Sequence, residues 1–171
     1  MLPHEHFLVA ALPVVGYFLL RYQRLPSKST IFVVFVGSQF PDLVDKPLAH
    51  TVALLPSGRV FMHSLPFAIP ISILVLWYGI VTDRPALSDG FVFAYVIHIF
   101  ADWQHMLRAG ELPPNLLWPF MEPLPSPVEP FWAGPGGINV SLWTMFSIVV
   151  LSGTLLLVAM DVSYQLSETN R

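Results

Sequence analysis

The chain has 171 residues, of which 54% are hydrophobic and only 11% charged, with a net charge of −3 and a mean hydropathy of +0.64. Soluble domains carry about a quarter charged residues, so the composition points to lipid as solvent, and the lack of any basic stripe excludes nucleic acid as a partner. No cysteine is present, which removes disulfides, thiolate metal sites and cysteine nucleophiles together and leaves His, Asp and Glu to hold any metal.

The opening residues, Met1-Leu2-Pro3-His4-Glu5-His6, lack the basic region of a signal peptide, and no small-residue cleavage site follows the apolar stretch behind them. The first helix is therefore expected to remain in the protein, over about residues 6–22, with Pro13 bending it. The second apolar stretch, about 30–40, is short and runs directly into Pro41-Asp42-Leu43-Val44-Asp45. A third spans about 65–81, a fourth about 90–107 and a fifth about 139–160. Only the fifth reads as an uninterrupted lipid-facing span. Between the fourth and fifth, residues 108–138 are rich in proline and tryptophan. Trp118, Phe120, Phe131 and Trp132 suit packing at a membrane interface. Residues 161–171 form a polar tail. These elements predict one all-α domain over residues 1–171, a polytopic transmembrane helix bundle of four or five membrane segments with a Pro/Trp-rich loop before the last helix.

Basic residues near the helix ends set the expected orientation. Arg21, Arg24, Lys28, Arg84 and, with five crossings, Arg171 fall on one side, against Lys46, Arg59 and Arg108 on the other. That bias places the N-terminus outside the cell membrane and the C-terminus in the cytoplasm.

Under alternating crossings the ionisable residues gather at one face, on the outer side. His4 and His6 begin the first helix, Asp42 and Asp45 end the second, and His50, Arg59 and His63 lie in the following connection. His98, Asp102 and His105 fill the outer half of the fourth helix. The spacing of the last three, i, i+4 and i+7, puts them on one helical face. Asp42 and Asp45 share a face if the helix continues through them. A carboxylate in apolar surroundings is costly unless paired or metal-bound. Mixed imidazole and carboxylate ligands suit zinc best, then manganese or iron.

At these residues the sequence resembles the membrane-bound metal-dependent hydrolase family. Glu5-His6-Phe7 is similar to its first-helix histidine, and Phe40-Pro41-Asp42 with Asp45 to its Pro-Asp-x-Asp element. Arg59-Val60-Phe61-Met62-His63-Ser64 is similar to its His-Arg-Gly-x-Thr-His-Ser element. His98-Ile99-Phe100-Ala101-Asp102 and Leu117-Trp118-Pro119 are similar to the last two, in the same order over about residues 5–120. Three departures stand out. Asp45 follows Asp42 by three residues where the family has two, Gly58 stands where the family has a histidine, and His105 stands where it often has a threonine.

The residues and the resemblance together imply a membrane-bound, metal-dependent hydrolase acting on phosphoester or lipid-like substrates. His6, Asp42, Asp45, His63, His98 and Asp102 are the metal ligands expected for one or two divalent ions. Asp45 or Asp102 is the expected general base and Arg59 the expected anchor for an anionic group. His4 is set aside, and His50 and His105 are held in reserve. The partners expected are the bilayer and a small-molecule or lipid-like substrate. The alternative is a non-catalytic membrane protein whose metal is structural or serves sensing or transport. Pro56-Ser57-Gly58 with His98 and Asp102 echoes a metal-free lipid phosphatase, but Arg59 replaces the histidine that signature needs.

Overall fold

In the computed structural model, which describes residues 3–125 and Ile148, four α-helices and one short 3-10 turn follow in chain order. They are α1 (Pro3–Tyr22), α2 (Lys28–His50), α3 (Leu65–Val81), α4 (Pro85–Arg108) and the turn Pro114–Leu117. Local chemistry sets their ends. Ser27 caps α2, its Oγ accepting the Thr30 N–H at 3.2 Å, which satisfies one of the orphan donors of a first turn. Pro85 opens α4 at a position where a missing N–H costs nothing. For that reason α4 begins before the Gly90 start expected from hydropathy.

α2 continues to His50, beyond the apolar stretch of about 30–40 and through the Pro41–Asp45 segment that follows it. Pro41 and Pro47 both lie inside the helix, each deleting only its own N–H from the ladder. The continuation carries Asp42 and Asp45 on one turn of a helix that packs most extensively against α4. The two helices cross closely at Gly37, where an added Cβ would meet the Phe91 carbonyl oxygen at 2.6 Å. Around that crossing lie two apolar clusters. Ala10, Val14, Phe18, Val34 and Ala94 join α1, α2 and α4. Ala68, Tyr95, Ile99, Trp103 and Leu116 join α3, α4 and the 3-10 turn.

The expected transmembrane bundle is not what the helices form. Among the described residues no helix is long and apolar enough to cross a membrane. The physical reason is distribution. α3 is apolar throughout but has 17 residues, about 26 Å at 1.5 Å per residue against a hydrocarbon core of ~30 Å. The longer α1, α2 and α4 carry Glu5 and Arg21, Lys28, Asp42, Asp45 and Lys46, and Asp89, Asp102 and Arg108. Composition counts apolar residues without registering how charges interrupt each helix. The orientation drawn from alternating crossings therefore has no crossing helix to rest on among the described residues. The fifth stretch, 139–160, the loop beyond residue 125 and the polar tail fall outside those residues, Ile148 excepted.

Candidate metal centre

Four side chains from three segments meet between α2 and α4. Asp42 comes from α2, His63 from the connection to α3, and His98 and Asp102 from α4. One ligand atom of each lies within 4.8 Å of all the others. His63 Nε2 is 3.1 Å from His98 Nε2, 3.6 Å from Asp42 Oδ1 and 3.5 Å from Asp102 Oδ2. His98 Nε2 is 3.9 Å from Asp42 Oδ1 and 4.0 Å from Asp102 Oδ2. Ligands about 2.0–2.1 Å from a tetrahedral zinc stand about 3.3–3.4 Å from one another, so the set is slightly wider than a closed zinc tetrahedron. Asp42 Oδ1 and Asp102 Oδ2 are buried and have no hydrogen-bond partner. A buried carboxylate oxygen without a hydrogen bond is costly, and here two such oxygens lie beside two imidazole nitrogens.

Each imidazole is held from behind. His63 Nδ1 donates to Asp45 Oδ2 at 2.8 Å, and His98 Nδ1 donates to the Ser38 carbonyl at 2.5 Å. These acceptors fix the tautomers, since each Nδ1 must carry a proton. The Nε2 atoms are thereby directed at the centre, the arrangement that orients metal-ligating histidines. Burial alone would lower the His63 pKa, but the neighbouring carboxylates of Asp102, Asp42 and Asp45 outweigh it and push it up to about 10. His98 goes the other way, down to about 3, through burial and the neighbouring His6 and His63. Burial opposes ionisation of Asp42 and Asp102, yet the close approach of His63 to Asp42 and of His6 and His63 to Asp102 holds both carboxyls well below the usual range.

The remaining residues singled out from sequence fall around this set. Asp45, fully buried, has both oxygens engaged: Oδ1 accepts the Met62 N–H at 2.8 Å, and Oδ2 accepts the Val60 N–H at 3.1 Å and the His63 N–H at 3.4 Å. It therefore shapes the loop that presents His63 and is not among the four converging ligand atoms. His6 stacks on His98 with ring centroids 4.0 Å apart, and its Nε2 lies 3.2 Å from Asp102 Oδ1. Arg59 Nε is 2.8 Å from Asp102 Oδ2, an ion-pair contact without an aligned N–H. His50 and His105 are exposed and outside the cluster, and His4 is half-buried with an unpartnered Nε2. A Cβ at Gly58 would come within 2.9 Å of His50 Nε2, so the His50 ring lies against the place where the resembling family carries its extra histidine.

Other contributors went unread in the sequence. Lys46 Nζ pairs with Asp42 Oδ2 at 2.6 Å. This i,i+4 pair becomes legible only once α2 is carried past Pro41. Ser38 acts through its backbone carbonyl, which no side-chain pattern reveals. Tyr95 Oη donates to the Met62 carbonyl at 2.6 Å, and Asn115 Nδ2 to the Arg59 carbonyl at 3.0 Å, together bracing the loop.

Comparison with known proteins adds one finding. Residues 1–168 match the family described as YdjM inner membrane protein. No curated protein and no solved structure matches the chain. The family match supports the membrane part of the resemblance seen in the sequence and does not extend to metal dependence or hydrolysis.

Proposed function

We propose that this chain, which belongs to the YdjM inner membrane protein family, is a metal-dependent hydrolase acting on phosphoester or lipid-like substrates. The observation that carries the proposal is the pair of buried oxygens without a hydrogen bond, Asp42 Oδ1 and Asp102 Oδ2, facing two imidazole nitrogens whose far sides are already anchored. Asp42, His63, His98 and Asp102 are the residues that would hold the ion. Their N2O2 donor set fits zinc best, with manganese or iron as alternatives. Bound there, a divalent ion would polarise a substrate oxygen and lower the pKa of water toward ~7.

The chain's own groups have distinct tasks in this reading. His63 and His98 remain neutral ligands, oriented by Asp45 and by the Ser38 carbonyl. Asp102 takes the proton of the attacking water, and His6, 3.2 Å from its other oxygen, holds that carboxylate in position. For a phosphoester, the water oxygen would form the new bond to phosphorus, the ester P–O bond would break, and the departing alkoxide would take up the proton that Asp102 accepted from the water. Asp45, once a candidate base, is fully occupied with N–H donors and serves to orient.

A structural ion is the second reading, favoured by the burial of all four ligands, since closed four-ligand sites are commonly structural. Elemental analysis of the purified protein beside His98→Ala tests the metal. Hydrolysis of phospholipids and model phosphoesters with and without chelator separates catalysis from structure. Stoichiometric metal in the parent and none in the variant is expected. Absence of metal from both would end the proposal, and metal without chelator-sensitive hydrolysis would favour the structural ion.

A further inference from the structure

The ligand set is buried, yet two charged side chains in direct contact with it reach solvent. Lys46, with its ammonium on Asp42 Oδ2, is 32% exposed, and Arg59, with its Nε against Asp102 Oδ2, is 39% exposed. Asp45 and His6, the other groups touching the ligands, are 0% and 1% exposed. Among the described residues, the two side chains that contact the ligand carboxylates and face solvent are therefore both cations. Arg59 is also fixed along its backbone. Its N–H donates to Ser57 Oγ at 3.3 Å and its carbonyl accepts from Asn115 at 3.0 Å. A group held this way has little freedom left to lose when it binds.

Charge completes the argument. Three carboxylates (Asp42, Asp45 and Asp102) face two side-chain cations (Lys46 and Arg59) in this contact network, and a divalent ion would add positive charge beside that pair. An anion is therefore attracted more strongly once the metal is in place. The guanidinium fork of Arg59 and the compact ammonium of Lys46 are the two side-chain types that recognise phosphate oxygens.

We propose that Lys46 and Arg59 form an anion-recognition pair over the metal centre, and that a phosphate group of the substrate binds there more tightly once the metal is in place. This rests on the metal-centred reading above and deepens it by naming the recognised group and its dependence on the metal. The same chemistry fits free phosphate and a phospholipid headgroup.

The test is calorimetric, with inorganic phosphate titrated into the detergent-solubilised full chain, loaded with Mn2+ or metal-free. Manganese is chosen because zinc phosphate is sparingly soluble. Phosphate should bind the Mn2+ form more tightly than the metal-free form. Lys46→Met and Arg59→Met should each weaken it roughly tenfold, the loss of one charge-assisted hydrogen bond, with Mn2+ stoichiometry unchanged. Lys46→Arg should restore binding, which separates charge from folding. Equal phosphate affinity with and without Mn2+, or in the Met variants and the parent, would overturn the inference while the metal reading stands. If the parent takes up no Mn2+, the metal reading itself fails. A second arm with dihexanoyl phosphatidic acid below its micellar concentration distinguishes the sources. Tighter binding than inorganic phosphate assigns the pair to a lipid headgroup, and equal binding assigns it to free phosphate.

Discussion

Replacing Asp45 with Asn changes almost nothing in size and tests how the centre is held. The carboxylate accepts four hydrogen bonds, one at Oδ1 from Met62 N–H and three at Oδ2 from Val60 N–H, His63 N–H and His63 Nδ1. An amide can keep its oxygen on only one side. The better orientation retains the three bonds at the Oδ2 position and turns an NH2 toward the Met62 N–H. Two donors then face each other, leaving an unsatisfied group that costs about 1–3 kcal/mol. The three surviving bonds lose charge assistance, which is roughly half their strength. Together these predict a destabilisation of about 3–5 kcal/mol, the range for breaking a buried ionic pair. Because His63 also loses its orienting partner, metal affinity should fall about 10–100-fold. Thermal unfolding in detergent with and without metal, beside a metal titration of D45N, measures both quantities. Retained metal affinity would refute the orienting role even if stability fell, and unchanged stability would refute the account of the loop.

His98→Ala and His63→Ala should each reduce bound metal from stoichiometric to background, whereas His50→Ala and His105→Ala should leave it unchanged. Elemental analysis of the four variants checks this. In metal-free protein the raised His63 pKa has a definite sign. Its stabilisation is complete below the unfolded value of ~6.5 and is lost as pH rises through about 10, so the metal-free melting temperature should fall between pH 7 and pH 10. Metal binding, which requires that imidazole to be neutral, should flatten the decline. Gly37→Ala should destabilise by about 1–3 kcal/mol through overpacking against Phe91, a loss read by thermal unfolding and not relieved by metal. Tyr95→Phe removes the donor to the Met62 carbonyl and should cost about 1 kcal/mol.

Helix content and the shared face of His98 and Asp102 were legible in the sequence because both depend on spacing alone. The reach of α2 was not. A proline reads as a stop in sequence, yet Pro41 and Pro47 lie within a helix whose remaining bonds and packing against α4 hold it together. Hydropathy located the apolar stretches but not their solvent, since it sums over residues that each helix distributes around charges. Asp42, His63, His98 and Asp102 were singled out in the sequence as candidate ligands, and the structure brings one ligand atom of each within 4.8 Å of the others. The division of labour was not legible. Asp42 and Asp45 look equivalent as letters, and only the folded loop, with the N–H groups of Val60, Met62 and His63 turned onto Asp45, makes one an orienting group and leaves the other with a free oxygen. The part played by the Ser38 carbonyl carries no sequence signal, because any residue has a carbonyl.

The shape of the 51–64 connection is stored outside it, in a side chain of α2. Asp45 acts as a template against which three backbone N–H groups are laid, while Val52, Ala53 and Leu54 at the near end of the connection are exposed. The two halves of this one loop should therefore tolerate change in opposite ways. Residues inserted near 52–54 lengthen a surface arc, and doubling such a loop costs only about 0.6 kcal/mol of closure entropy. A single residue inserted between Arg59 and His63 slips the chain along its template and carries the imidazole away from the centre. Length variation in this protein should be found on the first side of that boundary and not on the second.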